Sequence, residues 1–420
     1  MPLGTRLTFI AVSILVVGSM GVPGASAAPG DLDGSFGNGG TVLSTHVHLA
    51  ITAIALQPDG AIVAAGIAAK NTFVVARYDA AGTLDPTFGN AGVVRTRFQG
   101  PGSAAAVALA PGGDIVVAGR LLPANTGPYR FAFARYLSDG SLDPTFSVDG
   151  KTTTGIPGHQ AYLTGAAVEP DGSVVAVGYT CCGGTSSDQR FAVVKLLPDG
   201  SLDRTFANNG RRTTPFGGPS EATAVTLQED GKIVVAGAKN DGHGAVARYL
   251  ANGDLDRSFA GDGRASTTQQ FTGAGVAIDA AGDVVVSGTF VGNGNHIGAV
   301  RFGPDGTQDL SFGVDGKAMT DVRPGTQGEG YRLALQDDGR IVIAGNIYST
   351  DGFVAARWNS DGSLDRTFGQ NGIATTSTLV EGVSNDIAVA ADGGIVEGGS
   401  ALTPNAFNDR AFALAEFKAA

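Results

Sequence analysis

The sequence predicts an all-β protein, a seven-bladed β-propeller built from four-stranded antiparallel blades. Three observations support this fold class: a short motif recurs at nearly constant spacing, every repeat contains a hairpin signature, and the two ends of the chain complete each other. A repeat of about 50 residues or slightly more is typical of propellers and other repeat arrays.

The recurrent motif reads Leu-Asp-x-[Ser/Thr]-Phe, with a Gly four residues after the Phe. Consecutive copies start 52 to 60 residues apart, and one copy has Gln308 in place of the Leu. Because the Asp and the Phe occur in all seven copies, we interpret both as structural, and we expect the Phe to fill the wedge between neighbouring blades. The Asp residues are Asp33, Asp85, Asp143, Asp203, Asp256, Asp309 and Asp365, and the Phe residues are Phe36, Phe88, Phe146, Phe206, Phe259, Phe312 and Phe368.

Each unit also contains a turn followed by an apolar run that ends in Gly, as in Asp230-Gly231 before residues 232–237. Asp-Gly tolerates the positive φ angles of a type I′ turn, and β-branched residues favour strands, so each unit predicts a β-hairpin. Three further strands complete the unit: an alternating strand such as residues 223–227, an aromatic strand such as residues 244–249, and a Thr-rich strand. Four antiparallel strands in a unit of this length predict a propeller blade.

The aromatic strand carries a basic residue in six of the seven units and Glu416 in the last. We interpret the basic residue as the partner of the repeated Asp, in an ion pair or a contact that stabilises the turn. The alternative is a ring of seven carboxylates that binds cations or sugars. The basic residues are Arg77, Arg135, Lys195, Arg248, Arg301 and Arg357.

The two ends of the chain share one unit. The last unit stops at Phe417-Lys418 without a Leu-Asp segment or a Thr-rich strand, and these pieces occur instead within residues 30–45. We therefore expect an N-terminal strand near residues 41–45 to complete the last blade and close the ring, which leaves no open sheet edge. Residues 28–420 then form a single domain. A parallel β-helix is the main alternative, but its coils are shorter and its ends would not complement each other.

Residues 1–27 are typical of a secretory signal peptide, with Arg6 before the apolar residues 7–16 and Ala25-Ser26-Ala27 at the cleavage site. The rest of the chain has no apolar run of about 18 residues, the length that a membrane helix needs. The formal charge of −11 and the lack of a basic block argue against nucleic-acid binding. We expect a monomer that is secreted or held at the cell surface.

The only cysteines, Cys181 and Cys182, are adjacent. They can form a strained vicinal disulfide in an oxidising compartment, or remain as free or intermolecular thiols, and the sequence leaves both alternatives open. Some quinone-cofactor dehydrogenases are propellers with such a ring, but their repeated Trp signatures are absent because Trp358 is the only Trp.

The unrepeated loops are the predicted binding surface. The longest are residues 120–130, 180–190 and 401–410, and we expect them on the face opposite to the hairpin turns, around the mouth of the channel. The alternative is that they are ordinary solvated loops. The candidate ligand-binding residues are Arg120, Tyr129, Arg130, Asp188, Arg190, Asn408, Asp409 and Arg410.

Motifs for catalysis are lacking, and no catalytic residue or metal site is predicted. The chain has no Gly-x-Ser-x-Gly elbow, no HExxH pair and no P-loop. His46 and His48 alternate on the expected closing strand, but two imidazoles without a third ligand rarely bind a metal. No cofactor is predicted; calcium at the acidic turns is a less favoured alternative, since residues 199–203 offer two carboxylates where calcium takes six to eight oxygens.

The combined pattern resembles the delta-60 repeat family of bacterial secreted β-propellers. One example is the sequence of residues 227–237, followed by Ala247-Arg248-Tyr249 and by the motif at residues 255–259. The resemblance covers essentially all of residues 28–420 and implies a fold without a catalytic motif to carry over. We expect a non-catalytic scaffold that binds a protein or a glycan through its variable-loop face. The alternatives are a secreted hydrolase or oxidoreductase with a site at the channel mouth, and a structural component of the envelope or matrix.

Overall fold

The computed structural model of the protein describes residues 28–48, 50–68, 72–124, 127–181, 188–292, 294–322, 328–347, 352–403 and 410–419. The expected signal peptide, Cys182, Asn408 and Asp409 lie outside these residues. The described residues form 27 β-strands and one short 3-10 turn at Pro111–Gly113. Among them, no helix is long and apolar enough to cross a membrane.

The strands follow one another along the chain, mostly as hairpins. The first thirteen are β1 (Thr41–His48), β2 (Ile51–Leu56), β3 (Ile62–Ala68), β4 (Thr72–Tyr78), β5 (Val93–Thr96), β6 (Gly102–Leu109), β7 (Ile115–Leu121), β8 (Arg130–Tyr136), β9 (Lys151–Thr154), β10 (Gln160–Val168), β11 (Val174–Cys181), β12 (Arg190–Leu196) and β13 (Arg211–Thr214). The other fourteen are β14 (Ser220–Leu227), β15 (Ile233–Lys239), β16 (His243–Tyr249), β17 (Arg264–Ile278), β18 (Val284–Gly292), β19 (Gly294–Phe302), β20 (Ala318–Thr320), β21 (Gly328–Leu335), β22 (Ile341–Ile347), β23 (Val354–Trp358), β24 (Ile373–Thr375), β25 (Val383–Val389), β26 (Ile395–Leu402) and β27 (Arg410–Phe417).

The sheets are antiparallel and arranged as a β-propeller, but the prediction of seven four-stranded blades is wrong. The described residues form five four-stranded blades, in the orders β2-β3-β4-β5, β6-β7-β8-β9, β10-β11-β12-β13, β21-β22-β23-β24 and β1-β27-β26-β25. The sixth sheet is continuous and has seven strands, β14 to β20. Its 15-residue strand β17 pairs with β16 through its first part and with β18 through its second part. Two repeat units are therefore fused into one sheet.

The fusion involves the residues that link these two units. Several equivalent links contain turn formers, such as Gly100-Pro101 and Gly217-Gly218-Pro219, whereas residues 267–272 contain neither Gly nor Pro, as is also true of residues 45–50. The chain stays extended through residues 267–272. Gln308, the residue that replaces the repeated Leu, supports this strand: its Oε1 accepts from the Thr268 N–H at 2.9 Å, and its Nε2 donates to Gln269 Oε1 at 2.8 Å.

The N-terminal strand and the C-terminal strands lie in the same sheet. Strand β1 pairs with β27, with Thr41 opposite Ala415 and Val42 opposite Leu414. The Ile54 N–H of β2 donates to an Asp386 oxygen at 2.8 Å, which joins the first sheet to the last one. The first and last segments of the chain thus meet and complete the ring of sheets.

The hairpin turns differ in type from the expected type I′ turn, which needs positive φ at both central residues. In the turn at Asp230-Gly231, Gly231 has a φ of 79° and Asp230 is not among the residues with positive φ. The Gly231 N–H donates to Gln228 O at 2.9 Å, and the Gln228 N–H donates to Lys232 O at 2.8 Å. Of the two central residues, only Gly231 therefore has a positive φ. The Asp230 carboxylate caps the turn by accepting a hydrogen bond from the Lys232 N–H.

The core consists of apolar layers between neighbouring sheets, so the second and third strands of each sheet are buried on both faces. Val234 packs against the following unit, while Ile233 and Val235 pack against the preceding one. Phe146 lies in the layer between the second and third four-stranded sheets, and all seven repeated Phe side chains are at most 1% exposed. Burial of each of these rings stabilises the fold by about 2 kcal/mol or more.

In five of the seven units, one arginine connects three features of the repeat. In the second four-stranded sheet, Arg135 Nε donates to Asp143 Oδ2 at 2.6 Å, and its guanidinium lies 4.9 Å from the centre of the Phe146 ring. Its Nη1 donates to the Pro198 carbonyl of the next unit. The ion pair with the repeated Asp is present, at 2.6 to 2.8 Å, in five units: Arg77–Asp85, Arg135–Asp143, Arg248–Asp256, Arg301–Asp309 and Arg357–Asp365.

Two units depart from this pattern. Lys195 binds Glu169 at 2.7 Å instead of Asp203. In the last unit, burial together with the nearby Asp33 and Asp392 charges raises the pKa of Glu416 to about 7. There Lys418 pairs with Asp33, at 3.3 Å.

Glu397 is a buried carboxyl group in an apolar layer. It lies on β26 at a position where the other units have Ala64, Val117, Ala176, Val235, Val286 and Ile343. The residue is 0% exposed, and neither of its carboxyl oxygens has a hydrogen-bond partner among the described residues. Burial raises the pKa of Glu397 to about 8, and the nearby Ser384 offsets only part of that effect.

The variant Asp143→Asn tests the buried ion pair. Asp143 is 3% exposed, and its loss of charge leaves the Arg135 guanidinium buried without a carboxylate. We expect the free energy of unfolding to fall by about 3 kcal/mol in denaturant titrations at pH 7. Asp203→Asn is the matched control, because no basic side chain binds Asp203 directly, and we expect a clearly smaller loss. Equal losses would contradict the structural role of the ion pair.

The variant Glu397→Gln tests the buried carboxyl group. The folded pKa of about 8 lies above the ordinary value of 4.5, so the folded state retains a proton that the unfolded state releases. The stabilisation is complete below pH 4.5 and is lost as the pH rises through 8. Relative to Glu397→Gln, we expect the parent protein to lose about 1.4 kcal/mol of unfolding free energy per pH unit across this window. Parallel pH profiles for the two proteins would refute the assignment, and the exposed Glu229→Gln serves as control.

Candidate functional site at the mouth of the central channel

A ring of bulge residues lines the central channel. The first strand of every unit has a register shift near its middle, for example between Leu163 and Gly165 on β10 and between Gly330 and Leu333 on β21. The residues at these shifts all line one cavity of about 410 Å³. They are Thr52, Ala105, Thr164, Thr223, Ala274, Tyr331, Arg332 and Asn385.

Several side chains of this ring connect neighbouring units. Thr52 Oγ1 donates to Ala104 O at 3.1 Å, and Thr164 Oγ1 donates to Ala222 O at 2.8 Å. Similar bonds run from Thr223 to Gly273 O at 3.1 Å and from Asn385 Nδ2 to Ile51 O at 2.7 Å. The bulges therefore hold the inner strands together around the channel and fix the shape of the cavity.

Arg332 lies across the channel. Its Nη1 donates to Thr223 O and Ala274 O, both at 2.7 Å, and its Nη2 donates to Thr164 O at 3.0 Å. Arg332 also lines a second cavity of about 150 Å³, together with Asp386. The arginine thus separates the two spaces and forms the floor of the larger one.

The charges of Arg332 and Asp386 act on each other through the channel. Burial lowers the pKa of the Arg332 guanidinium, and the Asp386 charge acts in the opposite direction. Burial raises the pKa of Asp386, while Arg332 and the N–H groups of Ile54 and Ile387 oppose that shift. An arginine remains charged even so, because its ordinary pKa is above 12.

Arg120 lines the cavity and lies beside a row of three tyrosines, none of which lines the cavity itself. Arg120 is exposed near the end of β7, lines the cavity and lies 5.9 Å from the centre of the Tyr162 ring. The Tyr162 ring lies 4.8 Å from that of Tyr129 and is stacked on that of Tyr179 at 5.1 Å. All three tyrosines are half-buried, so parts of their rings remain open to a ligand.

The loop before β12 adds polar groups beside this row. Arg190 Nη2 pairs with Asp188 Oδ1 at 2.6 Å, and His159 Nδ1 lies 4.0 Å from Asp188 Oδ2. Gln189 Nε2 donates to Glu221 Oε1 at 3.2 Å. Burial raises the pKa of Glu221, and the Gln189 hydrogen bond opposes this effect.

The structure brings together some of the predicted site residues and separates others. Arg120 and Tyr129 lie on either side of Tyr162, and Asp188 and Arg190 pair with each other. Arg130 instead lines a different hollow with Arg97 and Lys151, and Arg410 donates to Glu381 O at 3.0 Å. Asn408, Asp409 and Cys182 lie outside the described residues, and Cys181 is buried at the end of β11.

The channel residues were missed by sequence reasoning. Tyr162, Thr164 and Arg332 lie on strands that repeat in every unit, whereas the predicted binding residues were taken from the unrepeated loops. An alignment of the seven inner strands with one another places Tyr331 at the bulge position and Arg332 one residue later. It would have found Arg332 and Asp386, because they are the two charged residues at a position where the other five units have Ala or Gly. In the part of the chain that the structure describes, no group of three or more His, Cys, Asp or Glu side chains is placed to hold a metal ion.

Comparisons with known structures show likeness in fold. The periplasmic gluconolactonase PpgL of Pseudomonas aeruginosa superposes with a TM-score of 0.52 and 13% sequence identity, covering 89% of this chain and 100% of that one. A protein of unknown function from Dyadobacter fermentans has a TM-score of 0.45 and 15% identity, covering 77% and 96%. The polysaccharide lyase Uly1 has a TM-score of 0.48 and 12% identity, covering 92% of both chains. Identities this low show the fold alone.

The family comparison concerns the repeats themselves. No curated protein matches the chain. Six segments match the family model described as a domain of unknown function (DUF5122) beta-propeller, at residues 57–88, 111–146, 169–206, 228–259, 282–312 and 336–368. Each segment runs from a hairpin turn to the Phe of the recurrent motif. The resemblance to the delta-60 repeat family remains a prediction from the sequence. Six segments of the chain are therefore similar to the repeats of a β-propeller family.

Proposed function

We propose that the protein binds a glycan at the mouth of its central channel and acts as a non-catalytic binding protein outside the cell or at its surface. The observation that carries this proposal is the row of Tyr129, Tyr162 and Tyr179 beside a cavity of about 410 Å³. The extracellular location rests on the expected signal peptide at residues 1–27.

The chemistry of the rim favours a sugar. Half-buried aromatic rings offer an apolar face with a polar edge, and the C–H face of a sugar ring packs on such a surface while its hydroxyls reach polar groups. Arg120 and the threonines of the bulge ring supply donors and acceptors next to the tyrosines. A cavity of this size falls in the range of small-ligand sites, whereas a typical protein interface covers about 800 Å² of each partner.

An enzymatic role at the channel mouth is the second candidate, and Glu221 is the observation that favours it. Glu221 lies two residues before the bulge residue Thr223, as Ser103 lies two residues before Ala105 at the cavity. Burial raises the pKa of Glu221, which favours a carboxyl group that holds a proton and donates it to a bound ligand. Turnover of a bound sugar that is lost in Glu221→Gln, with binding retained, would establish this role.

The variant Tyr162→Ala tests the binding site. A glycan array with the purified protein identifies ligands, and calorimetry then measures their affinity. We expect Tyr162→Ala to weaken binding by about tenfold, or about 1.4 kcal/mol, and Tyr162→Phe to retain most of it because the ring remains. Leu310→Ala is the control, since Leu310 is 61% exposed in a Leu-Asp segment on the opposite face.

Melting temperatures of all three variants show whether each one is folded. Unchanged affinity in a folded Tyr162→Ala protein would place the ligand away from the tyrosine row. Capture of a protein partner by a parent protein that binds no glycan would replace the glycan with a protein.

A further inference from the structure

The cavity at the channel mouth is lined by positively charged side chains and by no negatively charged one. Two arginines, Arg120 and Arg332, line it, and the other lining residues carry hydroxyl, amide or apolar side chains without a single carboxylate. In the described part of the chain, no Asp or Glu carboxylate oxygen lies within 4.0 Å of either guanidinium, which is the distance limit for an ion pair. By contrast, five of the repeated arginines each bind an Asp directly.

Arg332 has hydrogen-bonding capacity left for a ligand. A guanidinium has five N–H donors, and the three bonds that Arg332 makes all go to neutral carbonyl oxygens. Asp386 acts on Arg332 only from beyond the 4.0 Å of an ion pair, and its two oxygens accept from backbone N–H groups, at 2.8 and 3.0 Å. A guanidinium deep in a channel that no carboxylate contacts directly attracts an anion, since the protein walls screen its charge less than water does.

The threonines of the ring complement a different part of the ligand. The hydroxyls of Thr52, Thr164 and Thr223 donate their protons to backbone carbonyls. Only their oxygen lone pairs remain available, and these accept hydrogen bonds from a ligand's own hydroxyls. They offer nothing to a carboxylate, so the arginines and the threonines select two chemical groups in one molecule.

We propose that the ligand is an acidic sugar, a uronic acid residue whose carboxylate enters the cavity between Arg332 and Arg120. The hydroxyls of the sugar then donate to the threonine ring, and its ring face packs towards Tyr162. Planar guanidinium groups bind carboxylates through paired hydrogen bonds, which a neutral sugar cannot form. This inference rests on the proposed function and names the class of glycan that the site takes.

Matched sugar pairs test the inference. Calorimetry with the full purified protein compares D-glucuronate with D-glucose and D-galacturonate with D-galactose, at constant ionic strength. We expect each acid to bind at least tenfold more tightly than its neutral partner, and we expect that preference to weaken as sodium chloride is added. Acetate is included as a simple carboxylate that lacks the hydroxyls.

Arg120→Gln is the variant that keeps the test independent of folding, because Arg120 is exposed. We expect it to reduce the affinity for the acids at least tenfold and to leave the neutral sugars unchanged. Arg257→Gln is the matched control: Arg257 is an exposed arginine in the recurrent motif and does not line the cavity, so the preference should survive.

The outcomes separate the two proposals. Neutral sugars that bind as tightly as the acids would leave the glycan site standing and overturn the acidic class. Acetate that binds as tightly as the uronates would reduce the cavity to a general anion site and also overturn it. Lack of binding by both classes of sugar would remove the proposed function together with this inference.

Discussion

The contact that the rest of the fold depends on is the arginine of the aromatic strand. Its guanidinium binds the Asp of the recurrent motif, covers the Phe that fills the layer between sheets, and donates to a carbonyl of the next unit, as Arg135 does with Asp143, Phe146 and Pro198. A single side chain thereby sets the position of the motif, the depth of the aromatic ring and the orientation of the neighbouring sheet. The repeat is conserved within the chain because these three constraints must be met together.

The positions that break the repeat are the ones that distinguish this protein from an ideal ring. Gln308 replaces a half-buried Leu and binds the extended chain at Thr268 and Gln269, which accompanies the fusion of two units into one sheet. Glu397 replaces an apolar residue, and Arg332 stands at a position where five other units have Ala or Gly and one has Asp386. Each of these substitutions puts a polar group where most units have an apolar or small residue.

Much of the fold could be predicted from the sequence, because the motif and the hairpin turns recur with the same local chemistry. The strand content, the ion pair at residues such as Arg248 and the meeting of the two chain ends all follow from local pattern. The continuity of β17 could not be predicted in this way, since residues 45–50 lack Gly and Pro as residues 267–272 do, but only the second link lies within one continuous strand. The ring of bulge residues could not be predicted either. A register shift depends on how two strands pair, and the alternation of residue types along one strand does not reveal it.

The candidate site could be predicted only in part for the same reason. Arg120 and Tyr129 were found because they flank an unrepeated loop, but residues at the two ends of one hairpin point in different directions, and Arg130 lines another hollow. Tyr162 and Arg332 lie on repeated strands, and of the two only Arg332, at a bulge, lines the channel cavity. Sequence spacing alone does not show which side chains converge on the axis of a ring.

The pairing of β1 with β27 has a consequence for the order of events during synthesis. Thr41 leaves the ribosome long before its partner Ala415. Strand β1 therefore has no place to pair until β27 has been made. Loop closure over such a distance is slow, so a nascent chain that ends before β27 cannot complete this sheet.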